Sequence, residues 1–122
     1  MSTPQTSPVP NFANYINGEW VTSSKTFENR NPANTNEIVG LFAKGSAADI
    51  DAAAKAAEAA LPGWSSMPAP ARGNILYKAA EILEKKFDQL GAEMTREEGK
   101  TLSEAKGEVR RAINIFRYFG GE

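Results

Sequence analysis

The chain has 122 residues and a mass of 13.2 kDa, room for one domain whose core removes roughly 60 to 70% of its unfolded surface from water. Hydrophobic residues at 41% and charged residues at 24% exclude a wholly disordered chain, and a net charge of −1 without a long block of one sign argues against a nucleic-acid partner. The absence of cysteine and histidine excludes a disulfide framework and removes the usual transition-metal ligands and most nucleophile-base pairs.

Met1 to Pro10 is polar, with Pro4, Pro8 and Pro10, and has neither the basic start nor the apolar stretch of a secretory signal. It reads as the main part of a disordered tail over residues 1–12, with residues 13–122 as one folded unit. The first arginine is Arg30, whereas a mitochondrial presequence is Arg-rich, so a cytoplasmic protein is expected. No apolar run approaches membrane-spanning length, so no membrane partner is expected.

Strands are expected over about 14–44. Asn17-Gly18 between Tyr15-Ile16 and Glu19-Trp20-Val21 suits the type I′ turn of a two-residue hairpin, because both residues tolerate positive φ. Thr26–Arg30 and Glu37–Ala43 are further strand candidates, separated by the turn-forming run Asn31-Pro32-Ala33-Asn34-Thr35-Asn36. About four short strands result.

Helices then take over. Ser46-x-x-Asp49 is a capping box, and Ile50, Ala53, Ala57, Ala60 and Leu61 recur at helical spacing, predicting a helix over about 46–61 that Pro62-Gly63 stops. Pro70 suits the first turn of a helix over about 70–98, whose face Ile75, Leu76, Ala79, Ile82, Leu83 and Phe87 continues through Leu90 and Met94 past a break near Asp88. Gly99 ends it. Thr101-x-x-Glu104 opens a last helix over about 102–119, burying Leu102, Ala105, Val109, Ala112, Ile113 and Phe116 before Gly120-Gly121 closes it. Strands set ahead of helices, rather than alternating with them, predict an α+β fold: N-terminal β-hairpins followed by three or four α-helices. The apolar stripes, with Ile75, Leu83, Leu90, Val109, Ile113 and Phe116, exceed what a few short strands can cover.

Few motifs carry chemistry. Glu98-Gly99-Lys100-Thr101 resembles the end of a phosphate-binding loop, but the position of that loop's first glycine is Met94 and the preceding segment is helical. Gly99 as a helix C-terminus and Thr101 as an N-cap explain it better. Glu97 and Glu98 are adjacent on a helix and point about 100° apart, which argues against an acid-base pair. Arg110 and Arg111 could clamp an anion, although pairing of Arg111 with Glu108 at i,i+3 is the commoner arrangement. For Trp20 and Trp64, packing is favoured over stacking on a base.

The order of these pieces says more than any one of them. Tyr15-Ile-Asn-Gly-Glu-Trp20, Asn31-Pro-Ala-Asn34, Glu37-Ile-Val-Gly40, an Ala-rich helix ending at Trp64, Arg72, Glu97-Glu-Gly-Lys100 and Arg117-Tyr-Phe-Gly120 resemble the start of an aldehyde dehydrogenase. The resemblance runs from about Tyr15 to Glu122. Within the family it is most similar to bacterial enzymes acting on semialdehydes such as 2-oxoglutarate semialdehyde.

That resemblance implies the first part of a cofactor-binding α/β domain in an NAD- or NADP-dependent enzyme that oxidises an aldehyde or semialdehyde to a carboxylic acid. The family's catalytic cysteine, general base, oxyanion-hole asparagine and cofactor contacts correspond to no position here. The chain is therefore expected to be scaffold, inactive and not cofactor-binding by itself, with the remainder of a parent enzyme or a second copy as partner through apolar helix faces, and homo-oligomeric. The family's structural monovalent-cation site maps onto Asn29, Arg30 and Glu108 as a partial set of oxygen ligands. Glu108 as an ordinary surface ion-pair residue is the competing reading. The alternative to a scaffold segment is a standalone noncatalytic interaction module using an exposed apolar helix face; an enzyme working through carboxylates alone lacks a convergent pair.

Overall fold

The computed structural model describes residues 8–122, an α+β arrangement of five short strands followed by four helices. The strands are β1 (Asn11–Phe12), β2 (Asn14–Ile16), β3 (Glu19–Val21), β4 (Thr26–Arg30) and β5 (Ile38–Ala43). β2 and β3 form the expected hairpin, with Asn14 opposite Val21 and Ile16 opposite Glu19. Its turn residues Asn17 and Gly18 both have positive φ, 52° and 80°, as a type I′ turn requires.

A separate three-stranded sheet has the order β1-β5-β4, with β5 antiparallel to β4 and parallel to β1. Phe12, Phe42 and Phe27 are register partners across it, with ring centroids 4.7 and 5.9 Å apart. β1 corrects the reading of 1–12 as a disordered tail: Asn11 and Phe12 pair with Leu41 and Phe42, and the Leu41 amide donates to the Pro10 carbonyl at 2.9 Å. Two strand residues behind two prolines carry no periodic signal, and their partner lies some thirty positions away. The part of that expectation falling on residues 1–7 lies outside the described residues.

The helices are α1 (Ala47–Ser66), α2 (Ala69–Lys85), α3 (Phe87–Glu98) and α4 (Leu102–Gly121). Both capping boxes form. Ser46 Oγ accepts from the Asp49 amide at 3.3 Å and Thr101 Oγ1 from the Glu104 amide at 3.3 Å, while Asp49 and Glu104 accept from the N-cap amides. Pro62 does not stop α1 as expected; it lies inside the helix. The helix buries no residue, so water can reach the Glu58 carbonyl that loses its donor. The stop comes at Met67, pushed to extended geometry (φ −67°, ψ 135°) by the following Pro68.

The expected 70–98 segment is two helices, broken at Lys86 (φ −101°, ψ 10°), close to the predicted break. Gly99 ends α3 in the left-handed region at φ 77°. Gly120-Gly121 does not close α4 but belongs to its last turn, where Gly120 packs against Gly73 and Tyr77 of α2.

α2 and α3 run antiparallel along α4: Gly73 meets Gly120, Glu84 meets Arg110 and Asp88 meets Lys106. Ala80, Val109 and Ile113 form the core, with Leu83, Phe87, Leu90, Met94 and Phe116 packed around them. This corrects the list of stripes needing cover. Val109 and Ile113 are buried and Leu83, Leu90 and Phe116 half-buried, whereas Ile75, Ile82, Leu102, Ile115, Tyr118 and Phe119 are exposed. Helix-helix packing selected the Ala80 face of α2 and turned the Ile75–Ile82 face outward.

Candidate functional site

The candidate cation residues come from β4 and α4, on either side of the α3–α4 turn. Asn29 lies opposite Gly40 and Arg30 opposite Ile38, with an irregularity in the ladder between them that turns the chain into the Asn31-Pro32 loop. Asn29 Nδ2 donates to Glu97 Oε1 at 2.9 Å. The Arg30 guanidinium donates to the Thr35 carbonyl at 2.8 Å and to Glu28 Oε2. Glu108 accepts from Lys100 Nζ, which also pairs with Glu98 at 2.7 Å. These contacts hold the Lys100 ammonium above the usual lysine range, Glu108 contributing most and Glu98 next.

The structure thus brings Glu108 to Lys100 and Asn29 to Glu97; no side-chain hydrogen bond or ion pair joins Asn29 or Arg30 to Glu108 among the described residues. Glu97, Glu98 and Glu108 border one cleft of about 310 Å³ floored by Leu83, Leu90, Met94 and Val109. A cation there competes with the Lys100 ammonium for the Glu108 carboxylate, so these residues fit a monovalent ion only in part. No group of three or more acidic side chains suited to hold a metal occurs among the described residues.

The other motifs resolve into packing and ion pairs. Glu97 and Glu98 border the same cleft but turn to different partners, Asn29 and Lys100. Arg110 places its guanidinium 2.7 Å from both Glu84 oxygens and lies over the Phe87 ring. The expected Arg111–Glu108 pair does not form, because Glu108 has taken Lys100. Nor do the tryptophans pack inside: Trp20 is 72% exposed and leans on Tyr15 across the hairpin, and Trp64 is 41% exposed.

Sequence reasoning missed the clasp joining the sheet to α3. Glu37 at the mouth of β5 accepts from Arg96 of α3 and, at 2.8 Å, from the Asn31 side chain. Both contacts lower the Glu37 carboxyl, the Asn31 hydrogen bond more than that of Arg96. Gly99 lies against Pro32, where a Cβ would come within 2.7 Å of Pro32 Cγ. Both halves of that contact belong to the quoted motifs, Asn31-Pro32 and Gly99-Lys100, but nothing in one sequence pairs residues nearly seventy positions apart.

Residues 20–122 match the profile of the aldehyde dehydrogenase family. The chain is 44% identical over 113 residues to the alpha-ketoglutaric semialdehyde dehydrogenase of Bacillus subtilis (strain 168), covering 91% of this chain and 23% of that protein. It is 47% identical over 111 residues to the alpha-ketoglutarate semialdehyde dehydrogenase of Haloferax volcanii, covering 89% and 23%. Among solved structures it is similar to the 1-pyrroline-5-carboxylate dehydrogenase from Thermus with bound NAD, with a TM-score of 0.89 and 33% identity over 92% of this chain and 22% of that one. The chain spans less than a quarter of the length of these relatives.

Proposed function

Since the chain belongs to the aldehyde dehydrogenase family, we propose that it serves as the N-terminal scaffold of an NAD(P)-dependent enzyme oxidising a semialdehyde to a carboxylic acid. The 2-oxoglutarate semialdehyde named for two relatives is the favoured substrate. One observation carries the scaffold reading: α2, α3 and α4 make a small framework of their own and leave large apolar side chains exposed, Ile75 and Ile82 on α2 and Ile115, Tyr118 and Phe119 on α4, to be covered from outside. The cover would come from the remainder of a parent enzyme or a second copy.

No residue of this chain is assigned a catalytic or cofactor-binding role. The family's covalent step needs a thiolate, and the sequence has no cysteine. NAD or NADP would bind the parent enzyme, with these helices beside its sheet. A monovalent cation at Asn29, Arg30 and Glu108, and a cytoplasmic setting, belong to the same proposal. No helix among the described residues is long and apolar enough to cross a membrane.

The same exposed helix faces also suit a noncatalytic interaction module. Two observations separate the readings. An open reading frame continuing in frame into a cysteine-bearing catalytic region supports the scaffold. Purified 122-residue protein should not reduce NAD or NADP with 2-oxoglutarate semialdehyde; reduction proportional to protein and surviving repurification would overturn the scaffold assignment.

A further inference from the structure

We propose that Asn17 is the chain's site of spontaneous deamidation, converting through a succinimide to aspartate and isoaspartate. Asparagine is among the thermolabile residues, and because the succinimide forms by attack of the next residue's backbone nitrogen, a side chain on that residue slows it. Asn17 is followed by Gly18; the other eight asparagines are followed by Phe, Tyr, Arg, Pro, Thr, Glu, Ile and Ile. Gly18 has no side chain to shield its amide nitrogen, and even a Cβ placed there would find nothing within 4 Å.

The reaction is intramolecular and takes only water. The Gly18 amide nitrogen gives its proton to solvent base and bonds to Asn17 Cγ, and Nδ2 leaves with a proton as ammonia, closing a five-membered ring. Water then opens the ring at either carbonyl. One opening yields aspartate in the normal main chain; the other yields isoaspartate, with the main chain routed through the side-chain carbons.

The fold opposes this chemistry only weakly. Both turn residues are exposed, and the Asn17 side chain makes no hydrogen bond among the described residues. Ring closure requires the turn to leave its left-handed geometry, and little holds it there. β2 and β3 are three residues each and form a two-stranded ribbon separate from the β1-β5-β4 sheet. Ribbons of that size are marginal in water, so the hairpin opens locally far more often than the molecule unfolds. The charged side chain beside the turn, Glu19, is an exposed carboxylate and offers no cation to stabilise the attacking nitrogen.

The two products differ in consequence. Aspartate tolerates the left-handed region and keeps the hairpin. Isoaspartate adds a main-chain atom to a two-residue loop, which loses the type I′ geometry and with it the pairing of Ile16 with Glu19. Either product adds one negative charge.

The test ages the full chain in mildly alkaline buffer made with heavy-oxygen water, then maps peptides by mass spectrometry. Heavy oxygen should enter at residue 17 as aspartate and isoaspartate, ahead of every other asparagine, at a rate approaching that of the free peptide of residues 14–21. The matching acidic isoform on ion exchange should be lost in Asn17→Gly, which preserves a Gly-Gly turn. An unlabelled residue 17 in the intact chain while the free peptide converts, label spread over other asparagines, or an acidic isoform surviving in Asn17→Gly would each overturn the proposal.

Discussion

At the scale of single residues, the charged groups that matter join elements rather than build a reactive centre. Glu84 is held below the usual carboxylate range chiefly by hydrogen bonds from Arg110, with partial desolvation opposing and Arg117 adding charge attraction. A carboxyl depressed in the folded state stabilises the fold above its unfolded pKa, and that contribution is lost as pH falls through the folded value. Glu84→Gln should therefore lower the melting temperature at neutral pH, with the gap closing below the ordinary carboxylate range; a gap independent of pH in thermal melts would assign the loss to packing. Glu108 gives a second residue-scale prediction. With Lys100 already on its carboxylate, potassium should raise the melting temperature only slightly over a bulky cation at equal ionic strength. Glu108→Ala should abolish that difference, and a gain surviving the substitution would remove Glu108 from the site. Lys100, raised by Glu108 and Glu98, keeps its contribution below the ordinary lysine pKa and loses it only as pH rises through the raised value.

At the scale of elements, glycine separates close packing from mere flexibility. In α2, a Cβ on Gly73 would stand 2.2 Å from the Gly120 carbonyl oxygen, so the helix ends approach this closely only because Gly73 lacks a side chain; a Cβ on Gly120 would be merely tight, 3.2 Å from the Gly73 oxygen. Gly107 in α4 has open space where its Cβ would be. Gly107→Ala should gain about 0.5 to 1 kcal/mol from helix propensity alone. Gly73→Ala has the same propensity gain, but the backbone clash should cost about 1 to 3 kcal/mol and leave the change destabilising. Denaturant titrations that show both changes stabilising would mean that α2 and α4 do not meet at Gly120. The elements were legible wherever the signal was local: the capping boxes at Ser46 and Thr101, the Asn17-Gly18 turn, the left-handed Gly99. They were misread where tertiary context decided, as with β1, held only by distant β5, or Pro62, tolerated because α1 is bathed in water. The candidate site was legible as residue types, not as an assembly, since the partners of Asn29, Glu37 and Glu108 lie on other elements and no local pattern names them.

At the scale of the whole molecule, the surface is too large for the mass. The chain exposes 9256 Å², where a compact monomer of this size shows about 6,400 Å². The excess exceeds the roughly 800 Å² per partner of a standard protein interface. Much of what is exposed is apolar: Ile75, Ile82, Ile115, Tyr118 and Phe119 on α2 and α4, Ile50, Leu61 and Trp64 on α1. Each large side chain left about half exposed forfeits on the order of 1 kcal/mol, a serious loss for a fold whose whole stability is about 5 to 15 kcal/mol. Burying one such face against a second copy recovers part of that loss, and α1, which buries no residue of its own, has the most to gain. The purified chain should therefore self-associate as its concentration rises, bind a hydrophobic dye when dilute, and show, among its four helices, the weakest amide protection in α1. Sedimentation across a concentration series, read beside dye fluorescence and hydrogen exchange, tests all three. A monomer at every concentration that ignores the dye and melts in one cooperative step would mean that the exposed faces of α2 and α4 are stable in water as they stand, and that no missing partner is needed to explain them.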